Sequence, residues 1–167
     1  PTRIELGGAE TIVTVLFADL ESFTTVSEYA EPHLLLDVLN QYHALLVERI
    51  KSNGGTVDKF LGDGVMALYN TPLPLPDHPL RAVQTALEIR EALPTFHERF
   101  ATAFRLGINF GIHTGKAIVG NVGAPDLMDF TAIGDTVNLA SRLQGLSSQS
   151  QITISEEGAG IAAAPLG

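Results

Sequence analysis

The sequence predicts an α+β domain, with helices packed on a mainly antiparallel sheet. Three observations predict it. Short apolar, β-branched runs alternate with longer segments of helical periodicity in the order β-α-β-β-α-β-β-α-β. One strand pair is joined by the tight link Gly62-Asp63-Gly64, which reads as a hairpin. The chain has 167 residues, 45 % of them apolar, enough for one domain with a real core.

Each element has its own signal. Residues 1–10 are weakly patterned and read as the end of a linker. Thr11 to Phe17 is rich in β-branched residues and reads as a central strand. Residues 26–52 read as one amphipathic helix, with Leu35, Val38, Leu39, Tyr42, Leu45, Leu46 and Ile50 at helical spacing. Asn53-Gly54-Gly55 ends it. Thr56–Leu61 and Val65–Tyr69 form the hairpin, and the Pro-rich Thr71–Pro79 is a surface connection. A second helix spans Leu80–Ala92, with a possible resumption after Pro94. Phe104–Gly111 and Ala117–Val122 read as two strands around Gly115. A third helix covers residues 135–146, and Gln151–Ile154 is a last short strand. There is no internal repeat and no low-complexity tract.

Composition excludes several classes. A net charge of −9 argues against a general nucleic-acid binder. The absence of cysteine rules out disulfides and thiolate metal sites. No apolar run approaches the ~20 residues needed to span a bilayer, so no membrane contact is expected. The chain opens at Pro1 with neither a start methionine nor a signal-peptide pattern. It reads as a cytoplasmic module of a longer protein.

Two carboxylates carry the chemistry. Asp19 follows an apolar strand and precedes Ser22, Thr24 and Thr25, and Asp63 sits in a Gly-flanked turn. Alone, Asp19 reads as a turn or N-cap residue and Asp63 as an ordinary hairpin turn. Together, at neighbouring strand ends, they can hold divalent cations over a phosphate chain. Amides opening the helix after Asp19 would add anion donors. Asn138 and Arg142, four apart, share a helix face that could equally be plain exposed surface. Gly134 permits a tight entry to that helix, and Thr131 comes from a loop near it. Lys59 is unusual within a strand unless its tip reaches water or a ligand, and an edge position is the simpler reading. The five histidines lack metal spacing, and His113 reads as structural.

These segments closely resemble the catalytic domain of class III nucleotidyl cyclases, the adenylate and guanylate cyclases. The resemblance runs from about residue 11 to 157. It rests on FADLESFT (17–24), VDKFLGDGVMALY (57–69), GIHTGKAIVGNVG (111–123) and DFTAIGDTVNLASRL (129–143). It implies an antiparallel palm-like, ferredoxin-like domain over residues 11–167 that works as a homodimer, most like the bacterial adenylate cyclases.

The resemblance also assigns roles. One protomer supplies Asp19, Asp63 and the Leu20 carbonyl to two Mg²⁺ or Mn²⁺ ions. Amides of Leu20, Glu21, Ser22, Phe23 and Thr24 cradle the β- and γ-phosphates. The other protomer reads the base through Lys59 and Thr131, and handles ribose and transition state through Asn138 and Arg142. Lys59 carries only donors and suits adenine N1, while the Thr131 hydroxyl can accept from N6. ATP is therefore the expected substrate, and cyclic AMP and pyrophosphate the products. The alternatives are a guanylate cyclase, or a non-catalytic regulatory or dimerisation module that binds nucleotide. The Gly-Gly-Asp-Glu-Phe signature of diguanylate cyclases is absent, as is the basic track of polymerases. Sensor domains are expected elsewhere in the parent protein.

Two departures accompany the resemblance. Family members continue past the last strand into further strands, one bearing a triphosphate-binding lysine, so the C-terminal strands look truncated. Many also carry a phosphate-binding arginine where this chain has Asn109; Arg105 lies four residues earlier.

Overall fold

The computed structural model describes residues 8–124, 126–148 and 151–155. Its elements are β1 (Ala9–Leu20), α1 (Phe23–Ser27), α2 (Pro32–Ser52), β2 (Thr56–Leu61) and β3 (Gly64–Tyr69). There follow α3 (His78–His97), a 3₁₀ turn (Thr102–Phe104), β4 (Ile108–Ala124), β5 (Leu127–Ile133), α4 (Asp135–Leu146) and β6 (Ile152–Ile154). The strands form one sheet in the order β2-β3-β1-β4-β5. All neighbours on that path are antiparallel, and β6 pairs parallel with β4. The predicted α+β architecture stands.

Strand parity divides the interior. Leu16, Ala18 and Leu20 of β1 enter the larger core, with Tyr42 and Leu46 of α2 and Ala86 and Ile89 of α3. Val13, Val15 and Phe17 face the other way, with Met66, Leu68, Val119, Ala132 and Ala140. The period of two therefore sends Asp19 to the smaller-core side, away from α2 and α3.

Several boundaries differ from expectation, each for a local reason. β1 starts at Ala9, inside the expected linker end. The long helix is broken: Glu31, before Pro32, is extended (φ −67°, ψ 131°), and its carboxylate caps α2 by accepting from the Leu34 amide at 2.8 Å. α3 runs unbroken through Pro94, with Leu93 and Phe96 buried on either side. β4 is one strand of 17 residues rather than two. Gly115 does not interrupt it but pairs with Val13; a Cβ there would lie 2.7 Å from Thr136 Oγ1. β5, expected as loop, is a strand.

Gly111 fixes α4. A Cβ at this position would lie 2.2 Å from the Gln144 nitrogen and 2.4 Å from the Ala140 carbonyl oxygen. Only glycine lets the helix backbone rest on β4, beside Phe17, which pairs with Gly111. Among the described residues, no helix is long and apolar enough to cross a membrane.

Candidate active site

The site begins where β1 ends. β1 and β3 are neighbours, with Ala18 opposite Val65, so the tip of the β2–β3 hairpin lies beside Asp19. Gly62 turns that tip at φ 62°. A Cβ on Gly64 would stand 2.7 Å from the Ala18 carbonyl oxygen and 3.1 Å from Asp19 Oδ1. The missing side chain is what lets the two acids approach. Asp19 and Asp63 hydrogen-bond through their carboxyls. Burial, then the bond to Asp63 and its charge, push the Asp19 carboxyl up from 3.8 to about 7, against the pull of the Leu20 amide. Ser141 and Gln144 of α4 close the other side of this cleft.

His43 was not singled out in the sequence. Its Nε2 lies 3.2 Å from the Asp63 carbonyl oxygen, and its ring stacks on Phe60 at 4.7 Å between centroids. It thereby ties the hairpin tip to α2.

Two adjacent, half-buried carboxyls offer the hard oxygen donors that a divalent cation takes. Among the described residues, no group of three or more His, Asp or Glu gathers to hold a metal. A divalent ion here would take Asp19 and Asp63 as hard oxygen ligands. Backbone carbonyl, water and phosphate oxygens would complete its shell, as suits Mg²⁺ or Mn²⁺.

The loop after β1 is tightly held. Ser22 is left-handed (φ 65°, ψ 17°), and the first bond of α1 runs from the Val26 amide to the Ser22 carbonyl. The Leu20 amide bonds Asp19, and the Glu21 amide donates to the Gly107 carbonyl at 2.8 Å. Of the five amides expected to cradle phosphates, these two are therefore engaged within the chain. Those of Ser22, Phe23 and Thr24 lie at the start of α1, where backbone donors have no intrahelical acceptor.

Lys59 and Thr131 come from opposite ends of the sheet path, β2 and β5, yet share one neighbour. The Thr131 hydroxyl donates to Asp58 Oδ2 at 2.5 Å, and Lys59 Nζ lies 3.7 Å from the same oxygen. The sheet curls until its two terminal strands touch through side chains. Asp58 sits where the β2–β3 register shifts between Val57 and Lys59. Its side chain is 1 % exposed, whereas that of Lys59 is 43 % exposed. A carboxylate before a strand lysine gives no sequence signal of its own, because a bulge is needed to aim it.

Asn138 and Arg142 are exposed on α4, and neither lines the Asp19–Asp63 cleft. Asn109 is buried on β4 opposite Asp19. Arg105 is not on that strand: it follows the 3₁₀ turn, and its Nε donates to the Phe100 carbonyl at 2.9 Å. His113 is buried on β4 opposite Val15.

Comparison with known proteins identifies the family and the fold. Residues 8–163 match the family model of the adenylate and guanylate cyclase catalytic domain. Adenylate cyclase 1 of Rhizobium meliloti is 38 % identical over 152 residues, 90 % of this chain and 23 % of that protein. An adenylate cyclase of Anabaena cylindrica is 36 % identical over 157 residues, 88 % of this chain and 30 % of its own length. This chain thus spans under a third of these relatives. Among solved structures, the adenylyl cyclase CyaB from P. aeruginosa superposes with a TM-score of 0.87 at 35 % identity, covering 93 % of this chain and 82 % of that one. The guanylyl cyclase Cya2 gives 0.87 at 32 %, covering 93 % and 80 %. With a matching family model, relatives above 30 % identity and the shared fold, the chain belongs to the adenylate and guanylate cyclase catalytic domain family.

Proposed function

We propose that this domain is an adenylate cyclase: it converts ATP to 3′,5′-cyclic AMP and pyrophosphate at sites shared between two copies, with Mg²⁺ or Mn²⁺. The observation that carries the choice of base is the meeting of Lys59 and Thr131 around Asp58. Lys59 donates to adenine N1, and the Thr131 hydroxyl accepts from the N6 amino group. Guanine reverses both positions and would set donor against donor at N1–H.

Asp19 and Asp63 of one protomer, with the Leu20 carbonyl, would hold the cations, and Ser22, Phe23 and Thr24 offer amides to the triphosphate. Bound divalent ions supply charge neutralisation and acidify the ribose 3′-hydroxyl. Asn138 of the second protomer orients the ribose. Its Arg142 meets the charge that builds on the α-phosphoryl oxygens. The 3′-oxygen bonds to the α-phosphorus as the bond to the bridging oxygen of pyrophosphate breaks, and the 3′-hydroxyl proton leaves to water. No side-chain base is assigned. Two exposed residues standing off the carboxylate cleft of their own chain are what a shared site requires. The domain is read as a cytoplasmic unit, where ATP is supplied, with sensor domains in the remainder of the parent protein.

The test is direct. Purified protein is incubated with Mn²⁺ and either ATP or GTP, and both cyclic nucleotides are quantified. Cyclic AMP from ATP, with little cyclic GMP from GTP, supports the proposal. Preferential cyclic GMP formation overturns the base assignment, and silence with both in a folded dimer favours a regulatory module.

A further inference from the structure

We infer that Asp58 is a positioning residue for base selectivity: it commits the Thr131 hydroxyl to act as an acceptor. The inference rests on the adenine-reading role proposed above for Thr131. A hydroxyl has one proton and two lone pairs, and left to rotate it serves a donor or an acceptor equally well. Here the proton is spent on Asp58 Oδ2 at 2.5 Å. What remains at Oγ1 is lone pairs alone. Toward the 6-position of a purine, such an oxygen matches the amino group of adenine and opposes the carbonyl oxygen of guanine.

The surroundings favour this orientation. Thr131 is 4 % exposed, and the Asp58 side chain 1 %, so water does not compete freely for either group. Asp58 is the extra residue of a bulge, released from the strand alternation that holds Val57 toward the larger core. Lys59 Nζ, 3.7 Å from the same Oδ2, compensates the carboxylate charge. Asp58 thus acts on the base through Thr131 without needing to touch it, while Lys59 reads N1 separately.

A rival role for Asp58 is simple charge pairing with Lys59, and a mutant cycle separates the two. The ratio of kcat/KM for ATP to that for GTP is measured in the wild type, Asp58→Asn, Thr131→Val and the double variant. Melting temperature and dimer content are followed in each. The side-chain amide of Asn can donate as well as accept, which frees the Thr131 proton to turn toward substrate. Asp58→Asn is expected to lower the ratio by about tenfold or more, the range for relieving one opposed buried polar contact. In the Thr131→Val background the same change is expected to leave the ratio within about twofold. An unchanged ratio in Asp58→Asn, or an equal fall in both backgrounds, overturns the inference.

A measurement on the unmodified protein needs no Asp58 variant to fold. Purine riboside triphosphate and its 6-methoxy derivative both keep the N1 lone pair, but only the second presents an acceptor at position 6. A committed acceptor predicts slower turnover of the 6-methoxy compound, with the gap closed in Thr131→Val; equal turnover in the wild type contradicts it. If the wild type prefers GTP or is inert, the adenine reading itself fails. If it prefers ATP and the cycle shows no coupling, only the role of Asp58 fails.

Discussion

The carboxyls of Asp19 and Asp63 hydrogen-bond to each other across the gap that Gly64 leaves between β1 and the β2–β3 hairpin. The raised Asp19 carboxyl gives the metal-free protein a defined response to pH. Asp19 binds its proton more tightly in the fold than in the unfolded chain, rising from 3.8 to about 7. Its contribution to stability is therefore complete below pH 3.8 and is lost as pH rises toward 7. In EDTA, Asp19→Asn should melt above the wild type at pH 8, and the difference should vanish near pH 4. Thermal melts at several pH values check it. Added Mn²⁺ should raise the wild-type melting temperature more at pH 8 than at pH 6, because proton and cation compete for one pair of carboxyls.

Gly111→Ala should loosen the helix that carries Asn138 and Arg142. Its Cβ would meet backbone atoms of Gln144 and Ala140 at 2.2 and 2.4 Å, too close for any rotamer to relieve. A cost of about 1–3 kcal/mol or more is expected, with turnover falling alongside. Chemical denaturation and a cyclase assay on the same preparation would show both.

Arg142→Ala should do the opposite: a large kinetic effect with little change in stability. Arg142 is exposed on α4, and surface changes of this kind usually stay within about 0.5 kcal/mol. Losing a cation aimed at developing charge should lower kcat by ~10²–10³. Normal melting with a lowered kcat supports the assignment, and unchanged turnover removes Arg142 from the site.

Lys59→Glu combined with Thr131→Cys should depress ATP use by about 10²-fold or more, because Glu offers adenine N1 no donor. The same pair should raise relative use of GTP, whose N1–H then faces an acceptor. Steady-state kinetics with both nucleotides measure the ratio.

Much of this was legible from residues alone, for physical reasons that can be named. Asp19 ends an apolar run and Asp63 sits in a Gly-flanked turn, so their placement at neighbouring strand ends was legible, although each alone reads as an ordinary turn residue. Helix α4 was found at residues 135–146, its observed bounds, because Gly134 marks its start and its buried face repeats at helical spacing. Local signals misled elsewhere. β5 lies between turn-forming residues at 125–126 and Gly134, and its pairing with β4 overrode those breakers. Gly115 looked like a strand break, but it makes room for Thr136. Asp58 and His43 carry no pattern at all: their roles arise only when β2 bulges and α2 lies against the hairpin tip.

The central claim is that each site draws its carboxylates from one copy and its arginine from another. Asp63→Ala and Arg142→Ala proteins, each expected to retain little activity alone, would be mixed and allowed to exchange subunits before assay with Mn²⁺ and ATP. Shared sites predict recovery of about a quarter of wild-type activity from an equal mixture, since half the dimers are mixed and each holds one intact site of two. A mixture that stays inactive while mixed dimers are demonstrably present would contradict the shared site.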